Sequence, residues 1–329
     1  MTSLDQLLLV SLLSVFLTLL LGSQRWAGWM NALLYLIQTG FVLNLSAQGY
    51  GSAAVPSSIS LQVFGHTLGW QFDALSWFFA LITVVAALLV SWYAAGEWGR
   101  RFSQRGGNLW LFQLALSLNV FSMLLLLSSA DLLSLFIGWE LVSWASFLLM
   151  AIGGMLASKA ALRYITYATA GAMALLAALV LVYQQAGSLQ YQAVIDILPA
   201  LTTAQGWILF GLFAVGFAVK MGLLPFHLWQ APAYAESVGP GAAFLAAISS
   251  RMGLYGILVV LVQLVGVSTL VDLRIPFTFL DGQTLLAWVA ALTIILPTFT
   301  ALRQNDARHL LAWHGIGQGG YMLLGIVVG

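Results

Sequence analysis

A chain of 329 residues with 61% hydrophobic and only 6% charged side chains lies far from any ordinary soluble domain and among multi-span membrane proteins. Its net charge of +1 offers nothing to nucleic acid or to an acidic soluble partner. The absence of cysteine excludes thiolate-bound zinc, iron–sulfur clusters and disulfides within the chain, and the four histidines are scattered without metal-ligand spacing, so no metal site is expected.

Apolar runs of about 20 residues, the length that crosses a bilayer, recur ten times. They fall at 4–22, 26–46, 73–95, 108–129, 131–150, 159–183, 205–224, 240–266, 284–302 and 308–328. The first run carries Asp5 instead of a basic leader and has no small-residue cleavage site after it, so it reads as a membrane helix, not a signal peptide. Between the second and third runs, "AVPSSISLQVFGHTLGW" alternates polar and β-branched residues as a short extracytoplasmic hairpin does. Between the sixth and seventh, "SLQYQAVIDILPALTTAQ" has apolar residues at helical spacing and is predicted to lie along the membrane interface. Asp131 and Asp306 precede helices as N-caps. The last run ends in "GYMLLGIVVG" with no polar anchor, so residues 321–329 are expected to pack against protein outside this sequence.

Lysine and arginine near helix ends set orientation. Arg25, Arg100, Arg101, Arg105, Lys159, Arg163, Arg303 and Arg308 fall on one set of alternate loops, and only Arg274 on the other. The expected product is a multi-pass protein of the cytoplasmic membrane with its N-terminus extracytoplasmic.

Four ionisable groups remain at membrane depth: Glu140 in the fifth span, Lys220 in the seventh, Arg251 in the eighth and His314 in the tenth. Charge there costs several kcal/mol and is a functional candidate by default. A structural ion pair between Glu140 and Lys220 is the plainer reading, but four such groups on four spans favour a proton relay. Lys220 is followed by Gly222 and Pro225, which together break the helix. Proline cannot donate to the carbonyl one turn back, near Met221, and glycine loosens the same turn. Carbonyls freed there need polar side chains or water. A lysine in that setting is a protonation switch. His227 and Glu236, just beyond the break, are candidates for a gate, although residues at such positions are more often anchors.

Three stretches, "FIGWELVSWASFLL", "VKMGLLPFHLWQAPAYAESVGPGAAFLAAISSRMGLYG" and "DARHLLAWHGIGQGGYMLLG", resemble the antiporter-like proton-pumping subunits of respiratory complex I, multisubunit Na+/H+ antiporters and membrane-bound hydrogenases. The resemblance implies an all-α fold of two inverted five-helix repeats, each enclosing a half-channel. It divides this chain into N-terminal helices (1–107), a first repeat with the broken helix (108–268) and the start of a second, incomplete repeat (269–329). It carries the proton-translocating carboxylate onto Glu140, the broken-helix lysine onto Lys220, the eighth-span lysine onto Arg251 and the histidine region onto His314. Here the sequence departs from the family. Arginine effectively never releases its proton, so Arg251 is a fixed charge that tunes its neighbours, with Arg163 in the same role. The implied function is a proton-translocating subunit of a larger complex, with other membrane subunits and the lipid bilayer as partners, Na+ or K+ as optional cargo and no redox cofactor of its own. A non-conducting scaffold and a stand-alone secondary transporter are the alternatives.

Overall fold

The computed structural model describes residues 2–24, 26–47, 54–63, 65–274, 278 and 280–328. Arg25 and Gly329 lie outside these residues. Helices dominate them, in the order α1 (Ser3–Leu21), α2 (Ala27–Ala47), α3 (Ala74–Ala95), α4 (Glu97–Gln104), α5 (Leu109–Leu127), α6 (Leu132–Ala151), α7 (Met155–Ala186), α8 (Tyr191–Ile197) and α9 (Thr203–Met221). There follow α10 (Gln230–Glu236), α11 (Gly239–Phe244), α12 (Arg251–Gly256), α13 (Val267–Asp272), α14 (Gly282–Leu302) and α15 (Ala307–Val328). Among the described residues nine helical segments are long and apolar enough to cross a membrane. The 21-residue α2 also has the length to span.

The chain forms two compact units. The first holds residues 1–161 and 236–248, and the second 162–235 and 249–329. In the first, α5 packs on α1, α3 and α6, and α11 joins α3 and α6. Gly138 of α6 permits this closeness: a Cβ there would lie 2.7 Å from the Cα of Leu126. Between α2 and α3 the chain makes two short antiparallel ribbons, β1 (Val55–Pro56) with β4 (Gln71–Phe72) and β2 (Leu61–Val63) with β3 (His66–Leu68). The buried Asp5 carboxylate holds this segment to the start of α1 by accepting from the hydroxyls of Ser57 and Ser58 and from the Ser58 backbone N–H at 3.1 Å. A carboxylate without water needs such donors. Asp131 caps α6, accepting from the Ser134 N–H at 2.8 Å, and its other oxygen takes the Gly69 N–H at 3.0 Å. The predicted interfacial segment after the sixth run is the short α8 followed by a 3-10 turn, Leu198–Ala200.

In the second unit α14 and α15 form a close antiparallel pair, and α9 packs against α12. Gly320 brings α15 onto α14, where a Cβ would meet the Ala290 carbonyl at 2.8 Å. The eighth predicted span is not one regular helix. Two π-helical segments, Leu245–Ser249 and Ile257–Leu264, flank α12 and leave Arg251 at its first position. Such wide turns occur preferentially at functional positions.

Candidate functional site

The break after Lys220 is built from identifiable parts. α9 stops at Met221 because Gly222 turns into the left-handed region (φ 71°), a conformation glycine adopts without penalty. A four-residue 3-10 turn, Phe226–Trp229, precedes α10. The carbonyls released by the break find protein donors. Ala218 O accepts the Leu223 N–H at 2.9 Å, and Val219 O accepts the Trp229 indole N–H at 2.9 Å. On the far side of the break, the Leu224 N–H donates to Thr293 Oγ1 of α14 at 3.1 Å. The polar groups of the break are thus served by the Leu223 N–H and the Trp229 indole for the carbonyls and by Thr293 Oγ1 for the Leu224 N–H.

Lys220 lies at the end of this helix and is 2% exposed. Its ammonium donates to Tyr164 Oη at 2.6 Å, and Nζ is 5.2 Å from the centre of the same ring. Tyr164 in turn packs on Trp229 with centroids 4.7 Å apart. One helical half of the break, its lysine, a phenol from α7 and an indole from the returning turn thus form a single cluster. Neither Tyr164 nor Trp229 is among the residues predicted from the sequence. Arg163 is, and it lies on an exposed face of α7. Adjacent helical residues point about 100° apart, which puts Tyr164 towards Lys220 while Arg163 faces outward.

Arg251 donates to Ser250 Oγ at 2.8 Å and to Gln318 Oε1 of α15 at 3.3 Å. Gln318 is one turn beyond His314 on the same face. His314 itself is exposed on the surface of this unit. α15 meets α14 through Gly317 and Gly320. His227 is half-buried, and its ring meets Trp313 edge-on at 5.8 Å, next to His314 in the chain. In the other unit, Glu140 is half-buried on α6, flanked by the buried Trp139 and one turn from the buried Ser143. Glu236 is half-buried too, and its carbonyl lies 2.7 Å from where a Cβ on Gly153 would stand.

The Tyr164–Lys220 bond makes an additive test. Tyr164→Phe leaves a buried ammonium short of one acceptor and is expected to lower stability by about 1–3 kcal/mol. In a Lys220→Met background the same change should be nearly neutral, because the coupling has gone. Thermal unfolding of the four proteins in detergent measures the difference. Equal losses in both backgrounds would show that the phenol acts by packing alone.

A many-span helical protein with a lysine buried at a helix break, and an arginine on the helix beside it, has the features of an antiporter-like membrane protein. The comparison with known sequences agrees: the transmembrane family described as NADH:quinone oxidoreductase/Mrp antiporter matches residues 129–329, and this chain belongs to that family. The chain is 30% identical over 327 residues to NAD(P)H-quinone oxidoreductase subunit 2 of Prochlorococcus marinus, covering 98% of this chain and 57% of that protein. It is 31% identical over 232 residues to NADH-quinone oxidoreductase subunit N of Desulforudis audaxviator, covering 70% of this chain and 44% of that one. Among solved structures it superposes on a chain of the membrane-bound sulfane sulfur reductase, an archaeal respiratory membrane complex, with a TM-score of 0.85 at 25% identity, covering 99% of this chain and 51% of that chain. The chain thus spans about half the length of the relatives it matches.

Proposed function

We propose that this protein is a proton-translocating membrane subunit of a larger ion-pumping complex, a redox-driven complex or a multisubunit cation/proton antiporter of the cytoplasmic membrane. The observation that carries the reading is Lys220, 2% exposed at the end of a broken helix and bonded to a phenol. A buried amine takes up and releases a proton at accessible cost, and the break provides polar groups beside it. Glu140 and His314 are the further titratable stations of the proposed path, on the scarcity of charge at membrane depth. Arg251 contributes a permanent positive charge. The test is proton uptake by vesicles carrying the native complex, with and without substitution at Lys220. Normal uptake without a titratable group at Lys220 would leave the protein as a scaffold.

The polar stripe of α15 supports the multisubunit part of the proposal. His314, Gln318 and Tyr321 follow one another at one-turn spacing, and all are exposed. Such side chains at membrane depth face protein or water far more often than lipid. Since the chain has no cysteine, a single Tyr321→Cys substitution can be read cleanly. Maleimide labelling is expected to be several-fold slower in the native complex than in the isolated chain. Equal rates in both would remove the partner from this face.

A further inference from the structure

A second polar feature lies in the first unit, beside the arginines of α4. The ends of α1 and α3, the start of α2, the helix α4 and the start of α5 line an open cavity of about 1090 Å³. That is at the upper end of small-molecule sites, which run to roughly 1,000 Å³. Arg100, Ser103 and Asn108 stand along its wall, and Gln113 forms part of its lining from below. α4 is an interfacial helix in its chemistry: Trp98 and Phe102 stack with centroids 4.9 Å apart, while Arg100, Arg101, Ser103 and Gln104 are exposed. Its one acid, Glu97, is already paired with Arg101.

Gln113 makes the cavity a site and not merely a gap. It is 1% exposed. Its carbonyl is occupied, accepting from Asn31 Nδ2 at 3.2 Å and from Ser91 Oγ at 3.3 Å. Its amide nitrogen has no partner among the described residues. An unpaired buried donor is destabilising unless an acceptor is supplied. The N-terminus of the 19-residue α5, whose first residues line the same cavity, also favours negative charge. Donor, guanidinium and helix end call for one chemistry, an oxyanion.

We propose that this cavity binds the phosphate headgroup of an anionic phospholipid. The mouth argues for lipid over a soluble phosphate. Trp29 lines the cavity, is 48% exposed and meets Trp92, 61% exposed, edge-on at 5.6 Å. Exposed tryptophans mark headgroup level in membrane proteins, and juxtamembrane arginines draw anionic lipid there. Arg100 engages the phosphate, Gln113 donates to an ester or phosphate oxygen, and the acyl chains leave past Trp29 and Trp92.

The test is native mass spectrometry of the purified protein in detergent with equal amounts of phosphatidylglycerol and phosphatidylcholine. Phosphatidylglycerol is expected to be retained preferentially, and Arg100→Gln should weaken that retention by about fivefold. Gln113→Leu should weaken it also. Arg303→Gln, an exposed arginine of the other unit, should leave it unchanged. Equal retention of the two lipids, or an equal loss with Arg303→Gln, overturns the proposal. Displacement of the lipid by millimolar inorganic phosphate would assign the cavity to a soluble anion and overturns it too. Gln113→Leu buries no new charge, and its thermal midpoint separates lost binding from lost folding.

Discussion

Lys220→Ala is expected to lower proton uptake on the order of a hundredfold while the complex still assembles, because removing a positioned proton-transfer group typically costs two to four orders of magnitude. Lys220→Arg should fail almost as completely. Arginine keeps the positive charge, but its guanidinium effectively never releases a proton. The two substitutions therefore separate titration from charge. The measurement is fluorescence quenching of a pH-sensitive dye in inverted vesicles, normalised to the amount of assembled complex. Full uptake by the arginine protein would make Lys220 a structural charge held by Tyr164, and the proposed path would lose its central station.

The second large effect falls on packing. Gly253→Val is expected to destabilise the protein by about 1–3 kcal/mol or to prevent its accumulation, since overpacking a close contact costs that much. A Cβ on Gly253 would stand 2.8 Å from the carbonyl oxygen of Phe217 and 2.9 Å from the backbone N of Met221. Both are main-chain atoms of α9 on either side of Lys220, so no rotamer change relieves the clash. Gly256 repeats the device one turn on, against the ring of Phe217 at 2.5 Å. Gly315→Ala is the control. It has nothing within 4 Å, and alanine is the better helix former by roughly 1 kcal/mol, so its thermal midpoint should hold or rise. A Gly253→Val protein as stable as the wild type would mean that α9 and α12 do not approach so closely in solution.

The substitutions also show which features were legible from residue order. Spans were, because about 20 apolar residues in a row have no other stable fate than a membrane helix. So was the cap on α6, because an aspartate three residues before a serine satisfies local N–H groups without help from the rest of the chain. The interruption after Lys220 was legible for a similar reason, since glycine and proline act on their own turn. Each of these is a local property.

Direction was not. Lys220 was visible as a rare charge, but its bond to Tyr164 depends on how α7 is rotated about its axis, and one residue of register separates Tyr164 from the exposed Arg163. The indole of Trp229 reaches Val219 O only because the turn folds back on α9. The π-helical segments around Arg251 flank α12, which fits against α9 through Gly253 and Gly256. His314 shows the same limit: its residue type was plain from the sequence, but not that it lies on an exposed face of α15. Sequence alone thus determined that this chain is a set of membrane helices with ionisable residues at four positions within its apolar spans. Tertiary structure decided which side chains those groups lie against, because side-chain direction depends on helix rotation and packing, which are long-range quantities.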